Sequence, residues 1–201
     1  FSNGDRIKLQ GSWSALNSKY ALSRSVENLR FKRVFDGRAD ETVTREDEGR
    51  LKLDYRFHAI EAHVPTIGLE GVRNHLKIKE ESAEGDIGRS DYQGYRISAF
   101  LQDEVELLEN VSLKTGFRFN HTFYASQSFL DPRVELHYKM GPHIKLNGAW
   151  GKYHQFLVKS SLFDDTGNFR YTWSLADGNT IPVLDAQHWV GGITWARNDI
   201  T

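Results

Sequence analysis

Eight histidines and a near-equal supply of carboxylates and cations are the side chains of this 201-residue sequence with the most chemical reach. His58 and His63 lie five positions apart around a turn, and His137, His143 and His154 bracket two neighbouring segments. A metal or haem site needs such ligands to converge in space. Histidines scattered over turns and alternating segments fit polar-face or interfacial roles better, so neither a metal nor a cofactor is expected. Asp164, Asp165 and Asn168 have the composition of an acidic calcium loop but lack its later bidentate glutamate, and the run is expected to be a turn. No nucleophile elbow, phosphate-binding loop, dinucleotide glycine turn or His-Glu-x-x-His helix occurs. No carboxylate pair can be assigned to acid–base work, so the chain is not expected to be an enzyme. A balance of 26 Lys and Arg against 27 Asp and Glu gives no basic footprint for nucleic acid. The chemistry that remains is recognition. Lys114, Arg118, Asn120, Arg133, Glu135 and His137, with Lys145 and Asn147, form one polar set. His121, Tyr124, Tyr153, His154, Gln155, Tyr171 and Trp173 form a second set, mixing rings with hydrogen-bonding groups.

The elements that position these residues are strands. From Val111 to Asn120 the odd positions are Val111, Leu113, Thr115, Phe117 and Phe119, and the even ones are Ser112, Lys114, Gly116, Arg118 and Asn120. Successive side chains of a strand point to opposite faces, so one face is apolar and the other polar. Val134, Leu136, Tyr138 and Met140 repeat the pattern against Arg133, Glu135, His137 and Lys139; Ile144, Leu146, Gly148 and Trp150 follow opposite Lys145, Asn147, Ala149 and Gly151. Met140-Gly141-Pro142-His143 is a tight turn between them, whereas the stretch after Tyr153 is long and polar. Short turns at one end and long loops at the other mark a transmembrane barrel of hairpins. A soluble sandwich with one solvated face alternates equally well. Composition admits both: hydrophobic residues make up 39% of the chain, and no run approaches the ~18 apolar residues a spanning helix needs. Five Trp and twelve Phe suit interfacial girdles, and the absence of cysteine is at odds with a small disulfide-held secreted domain.

Along the chain, Asp5–Ala15 alternates as a strand, a loop is expected at Asn17–Ser18, and Glu27–Phe35 is a weaker strand with Leu29 and Phe31 on one face. Asp36–Arg50 is charge-dense and expected to be a solvated loop. Leu51–Phe57 and Thr66–Ile78 are strands, and Lys79–Asp91 is expected to be a loop. Four strands occupy Tyr95–Tyr153. His154–Gln187 is turn-rich; Tyr171, Trp173 and Leu175 within it fit either an extended hairpin or a loop folded over a barrel mouth. His188–Asp199 is the last strand, giving roughly nine or ten in all.

Two groups of phrases add a family resemblance. Phe100-Leu101-Gln102-Asp103-Glu104 with Leu113, Gly116 and Arg118 is the first, and Pro132-Arg133, Leu136 and Tyr138 with Trp150-Gly151-Lys152 is the second. In this order and at about this spacing they resemble the C-terminal barrel of TonB-dependent outer-membrane receptors, and Gly191-Gly192-Ile193 with Trp195 resembles a later strand of the same barrels. The resemblance implies an all-β, antiparallel transmembrane barrel. It implies that residues 1–201 are part of a roughly twenty-two-stranded barrel, an internal portion without the plug domain and its coupling box. It further implies a location in the outer membrane of a Gram-negative bacterium, uptake of a scarce nutrient (siderophore, haem, cobalamin or glycan), and energy from the TonB complex acting through the plug. The long loops also resemble those of Bacteroidota receptors, which admits a surface lipoprotein as a partner besides the outer-membrane lipids. The lumen set would then be Lys114, Arg118, Asn120, Arg133, Glu135 and His137, facing water and plug. The substrate set would be His121, Tyr124, Tyr153, His154, Gln155, Tyr171 and Trp173, at the extracellular ends. A soluble β-sandwich that binds or processes carbohydrate, and a small passive porin-like barrel, are the alternatives.

Overall fold

The computed structural model describes residues 4–28, 33–58, 61–82, 85–163 and 169–196. Its strands are β1 (Arg6–Asn28), β2 (Arg33–Arg56), β3 (Thr66–Ser82), β4 (Gly85–Leu108), β5 (Val111–Thr122), β6 (Gln127–Met140), β7 (Ile144–Gln155), β8 (Leu157–Phe163), β9 (Phe169–Leu175) and β10 (Leu184–Trp195). Eight of them form one antiparallel sheet in the order β1-β2-β3-β4-β5-β6-β7-β10, and β8 and β9 form a separate hairpin in the connection between β7 and β10.

Register locks the two faces of the sheet. Leu9 pairs with Leu53, Leu53 with Leu69, Leu69 with Ala99, Ala99 with Phe119 and Phe119 with Leu130, so one apolar row crosses six strands. Farther along, Leu113, Leu136, Gly148 and Gly191 continue a parallel row. A slip of one residue would turn every one of these side chains to the other face. The apolar face is left uncovered: Leu9 is 67%, Ile193 76% and Trp189 77% exposed. A soluble sandwich packs such a face against a second sheet about 10 Å away, and among the described residues none lies there. The opposite face buries Thr42, Thr44, Glu46, Glu70, Asn74, Ser98, Asn120, Thr122 and Asp131. Polar inside and apolar outside is the inversion that a bilayer demands of a barrel. The architecture is therefore a partial antiparallel transmembrane barrel, all-β as the alternation predicts.

Two residues join β4 to β5, and Gly141, in the left-handed region at φ 67°, turns β6 into β7. At the other end β1, β2 and β4 run to 23, 24 and 24 residues. About ten tilted residues cross a bilayer, so these strands stand well beyond it.

Several expectations need correction. Asp36–Arg50 is the middle of β2 and not a solvated loop: it pairs with β1 on one side and, from Glu41 onward, with β3 on the other. Its charges are held across and along strands, as in Lys19–Glu41 at 2.8 Å and Arg50–Glu48 at 2.9 Å, which lets a charge-dense segment keep extended backbone. Asn17–Ser18 does not break β1, because both residues are paired with Arg45 and Thr44. Lys79–Asp91 is likewise strand for most of its length, β3 running to Ser82 and β4 beginning at Gly85, with a register shift at Glu80/Glu81 that absorbs the irregular sequence. Glu27–Phe35 is the top of a hairpin, whose residues 29–32, including Leu29 and Phe31, lie outside the described residues. The same holds for Asp164, Asp165 and Asn168. The last strand starts earlier than His188, at Leu184, because its first four residues still pair with β7. Tyr171–Leu175 belongs to the β8–β9 hairpin, and that hairpin also reaches across to β2 and β3, so the two fits expected for it are combined.

Candidate functional site

Even-numbered positions of β3, β4 and β5 and odd ones of β6 face the interior, and their polar side chains form a ladder around it. On β2 and β3, Asn74 donates to Glu48 at 3.2 Å and to Glu46 at 3.5 Å, while Arg50 donates to Glu48 at 2.9 Å. Glu70 is the central acceptor. Both its oxygens receive the Arg118 guanidinium, at 3.1 and 3.3 Å, and Arg50 stands 3.8 Å away. This fork-on-carboxylate geometry is the strong form of an ion pair, and the Glu70 side chain is only 2% exposed. Next around the wall, Arg96 donates to Asn120 Oδ1 at 3.2 Å, as does Ser98 at 2.7 Å. Asn120 donates from Nδ2 to Asp131 at 2.7 Å, and Asp131 meets His154 Nδ1 at 2.5 Å. The ladder thus runs from β2 to β7.

Rings are set into it. Phe100 lies under Lys52 and Arg118, 4.8 and 5.5 Å from its centre, and Arg96 lies 4.7 Å from the centre of Phe156. Cations over ring faces in such a setting are held by the ring quadrupole as well as by hydrogen bonds. Phe100 takes this position only because Gly68 faces it: a Cβ there would stand 2.3 Å from the ring.

Above the ladder the β8–β9 hairpin crosses from β7 to the other wall, with β9 touching β2 and β3. Phe156, Val158 and Ala176 are buried there, and so is Leu76 of β3, at 0% exposure. Beside them is a cleft of ≈ 840 Å³, lined among others by Tyr92, Gln93, Tyr124, Leu175, Asp177 and Ile181. Gly94 makes room for it, since a Cβ would sit 2.9 Å from Tyr124 and 3.0 Å from Leu175. Burial pushes the Tyr124 phenol up, and the nearby Asp177 carboxylate adds to the shift. The Tyr124 hydroxyl is buried without a hydrogen-bond partner among the described residues.

Asp177 caps the turn that closes the cleft, accepting the backbone N–H groups of Asn179 and Ile181 at 2.9 Å each, with Gly178 at φ 76°. The N–H of Ile181 first, and then that of Asn179, hold its carboxyl below the ordinary value. A group depressed in the folded state stabilises above its unfolded pKa of about 4 and loses that contribution as pH falls through the folded value. The protection of the Asn179 and Ile181 amides, relative to the unprotected exchange rate at each pH, should therefore hold down to the ordinary carboxylate range and fall only below it. Loss of protection already at about pH 6 would contradict the cap.

The sequence-derived residues divide clearly. Arg118 and Asn120 are central to the ladder. Lys114, Glu135 and His137 gather nearer the short-turn end, Glu135 lying 3.8 Å from each of the other two. Arg133 faces inward between Gly116 and Gly151, its Nε buried without a partner among the described residues. Of the substrate set, Tyr124 lines the cleft and His154 joins the ladder through Asp131 and Phe129. Tyr153 packs on His188, with ring centres 5.1 Å apart, and Gln155 donates to the Leu157 carbonyl at 2.7 Å. Trp173 lies on β9, half-buried, and Tyr171 sits on the same strand opposite Ser161. His121 shares the outward parity of Phe119 and Phe123 and bonds Ser128, so it lies on the apolar side rather than in the interior. Of the other histidines, His63 pairs with Asp103 and His75 with Asp91, both at 2.7 Å, and His143 meets the Ala196 carbonyl at 3.0 Å. The residues missed were Glu70, Arg96, Asp131 and Asp177. Glu70 shares the inward parity of Asn74 on β3, but its partner Arg118 is set by register between strands far apart in sequence.

An outward apolar belt, an inward polar ladder and hairpins with short turns at one end define the strand array of part of a transmembrane β-barrel. Solved structures agree on the fold. The chain is similar to the siderophore receptor PirA from Pseudomonas aeruginosa, with a TM-score of 0.56 at 12% identity over 94% of this chain, and to PirA from Acinetobacter baumannii, with 0.59 at 13% over 96%. It is also similar to the outer membrane transporter YddB from Escherichia coli, with 0.51 at 12% over 81%. The chain spans 38%, 30% and 34% of those three chains. No protein-family model matches the sequence, and no curated protein matches it.

Proposed function

We propose that the chain is part of the barrel of a TonB-dependent outer-membrane receptor that takes up a scarce nutrient. The observation that carries this reading is the ladder itself, a paired polar wall across six strands whose outer face is apolar. Bidentate, buried contacts such as Arg118 on Glu70 hold that wall in order. Such a wall suits docking of a plug, and a plug elsewhere in the full-length protein would connect the barrel to the TonB complex. The substrate would enter at the long-loop end, through the cleft under the β8–β9 hairpin, with Tyr124 as its first aromatic contact and His154 at the top of the ladder. A siderophore, haem, cobalamin or a glycan each falls within this chemistry, and a surface lipoprotein would meet the projecting ends of β1–β4.

The full-length protein should support nutrient uptake that collapses when the proton motive force is dissipated. Uptake that survives an uncoupler would identify a passive barrel instead.

A further inference from the structure

We infer that the cleft beside the β8–β9 hairpin takes a neutral oligosaccharide, with Tyr92, Tyr124 and Glu80 setting specificity, a choice of substrate class that rests on the receptor reading above.

The cleft is a trough with one ring standing in it. Along its floor the inward row of β4 is Gly88, Ser90, Tyr92 and Gly94, a single large side chain among small ones. Tyr92 pairs with the fully buried Leu76, so it stands on the interior side of the sheet, yet it is 51% exposed. A Cβ at Gly88 would meet nothing within 4 Å, whereas at Gly94 Tyr124 and Leu175 fill the space and end the trough. Gly88 and Gly94 are about 20 Å apart along the strand. An elongated floor with an isolated ring suits a chain of linked rings better than one rounded chelate. Tyrosine offers a flat apolar face and a polar edge. A sugar, apolar on its C–H faces and hydroxylated around its rim, matches both.

The rings alone admit any of the ligands above; the charge does not. Among the described residues that line the cleft there is no Lys, Arg or His, and three are carboxylates, Glu80, Asp91 and Asp177. Asp91 is held by His75, and Asp177 by the backbone of its own turn. Glu80 has no partner among the described residues. Lys79 and Arg89, its neighbour and that of Ser90 in the chain, line a separate outward depression. Arg96, two residues beyond Gly94, is committed to Asn120 and the Phe156 ring. A haem carboxylate or an anionic iron chelate entering here would give up its water with no cation to replace it. A neutral polyol instead donates to Glu80. It also completes the Tyr124 hydroxyl, which is buried without a partner among the described residues.

The test titrates the full-length protein in detergent, by calorimetry, with short neutral oligosaccharides, an oligogalacturonate, haem, a neutral ferric hydroxamate and an oligolysine. Wild type should bind a neutral oligosaccharide and none of the others. Tyr92→Ala and Tyr124→Phe should each weaken that binding about tenfold, and Glu80→Gln should admit the oligogalacturonate. All three should keep the heat-modifiable gel mobility of a folded barrel; if Tyr124→Phe does not, Tyr92→Ala, whose ring is half exposed, decides. Binding of haem, hydroxamate, oligogalacturonate or oligolysine to wild type overturns the inference, as does failure of every neutral oligosaccharide to bind. Sugar affinity unchanged in the folded tyrosine variants overturns it too. Uptake by cells separates the two levels. Haem or chelate uptake that stops on uncoupling keeps the receptor and removes the sugar, while sugar uptake that survives an uncoupler keeps the cleft and removes the receptor.

Discussion

Arg118→Met should destabilise the full-length barrel by about 3 kcal/mol, whereas Arg118→Met combined with Glu70→Met should recover most of that loss. Glu70 is buried at 2% exposure and receives the Arg118 fork at 3.1 and 3.3 Å. Removing the cation strands a carboxylate that has already given up its water. Arg50, 3.8 Å away, relieves only part of this. Removing both partners leaves two apolar chains beside Phe100, which replaces a desolvated pair by packing. The exposed pair Lys152–Asp185, at 2.8 Å, provides the contrast: its loss should cost ~1 kcal/mol or less. Urea titration of refolding into bilayers measures all three. A double variant as unstable as the single one would mean that the pair contributes through more than its buried charge.

The second large effect separates the two faces by a single residue. Leu136 stands on the outward row between Leu113 and Gly148, and His137, its neighbour, faces inward between Ser112 and Asn147. Leu136→Arg should cost ~2–4 kcal/mol, because the guanidinium enters hydrocarbon near the midplane, while His137→Arg should cost far less. His137 already sits 3.8 Å from Glu135, so an arginine there gains a partner. Equal losses in the same refolding titration would count against the assigned faces.

The faces were legible in the sequence because strand periodicity is local: Val111–Asn120 displays both sides within ten residues, and Met140–His143 fixes the turn. The long strands were not. Asp36–Arg50 carries enough charge to resemble a solvated loop, and what keeps it extended is pairing with β1 and β3, which composition does not record. The site divides the same way. Arg118 and Asn120 follow from parity alone. Glu70, 48 positions before its partner Arg118, follows only from register. Parity also held the answer for His121, an odd position with Phe117 and Phe119, although its hydrogen-bonding chemistry pointed toward a ligand. His154 is the opposite case. Strict alternation from Trp150 would place it outward, yet β6 and β7 are paired only as far as Arg133 and Gly151, and beyond that point His154 reaches the inward Asp131.

The central claim is that this sheet lies between lipid and a polar interior. A nitroxide scan of positions 112–120, one label at a time, in the full-length protein reconstituted into bilayers tests it most directly. Accessibility to oxygen should peak at 113, 115, 117 and 119, and accessibility to a water-soluble nickel chelate should be confined to the even positions. Odd positions shielded from both reagents, as in a sheet packed against a second sheet, would contradict the account.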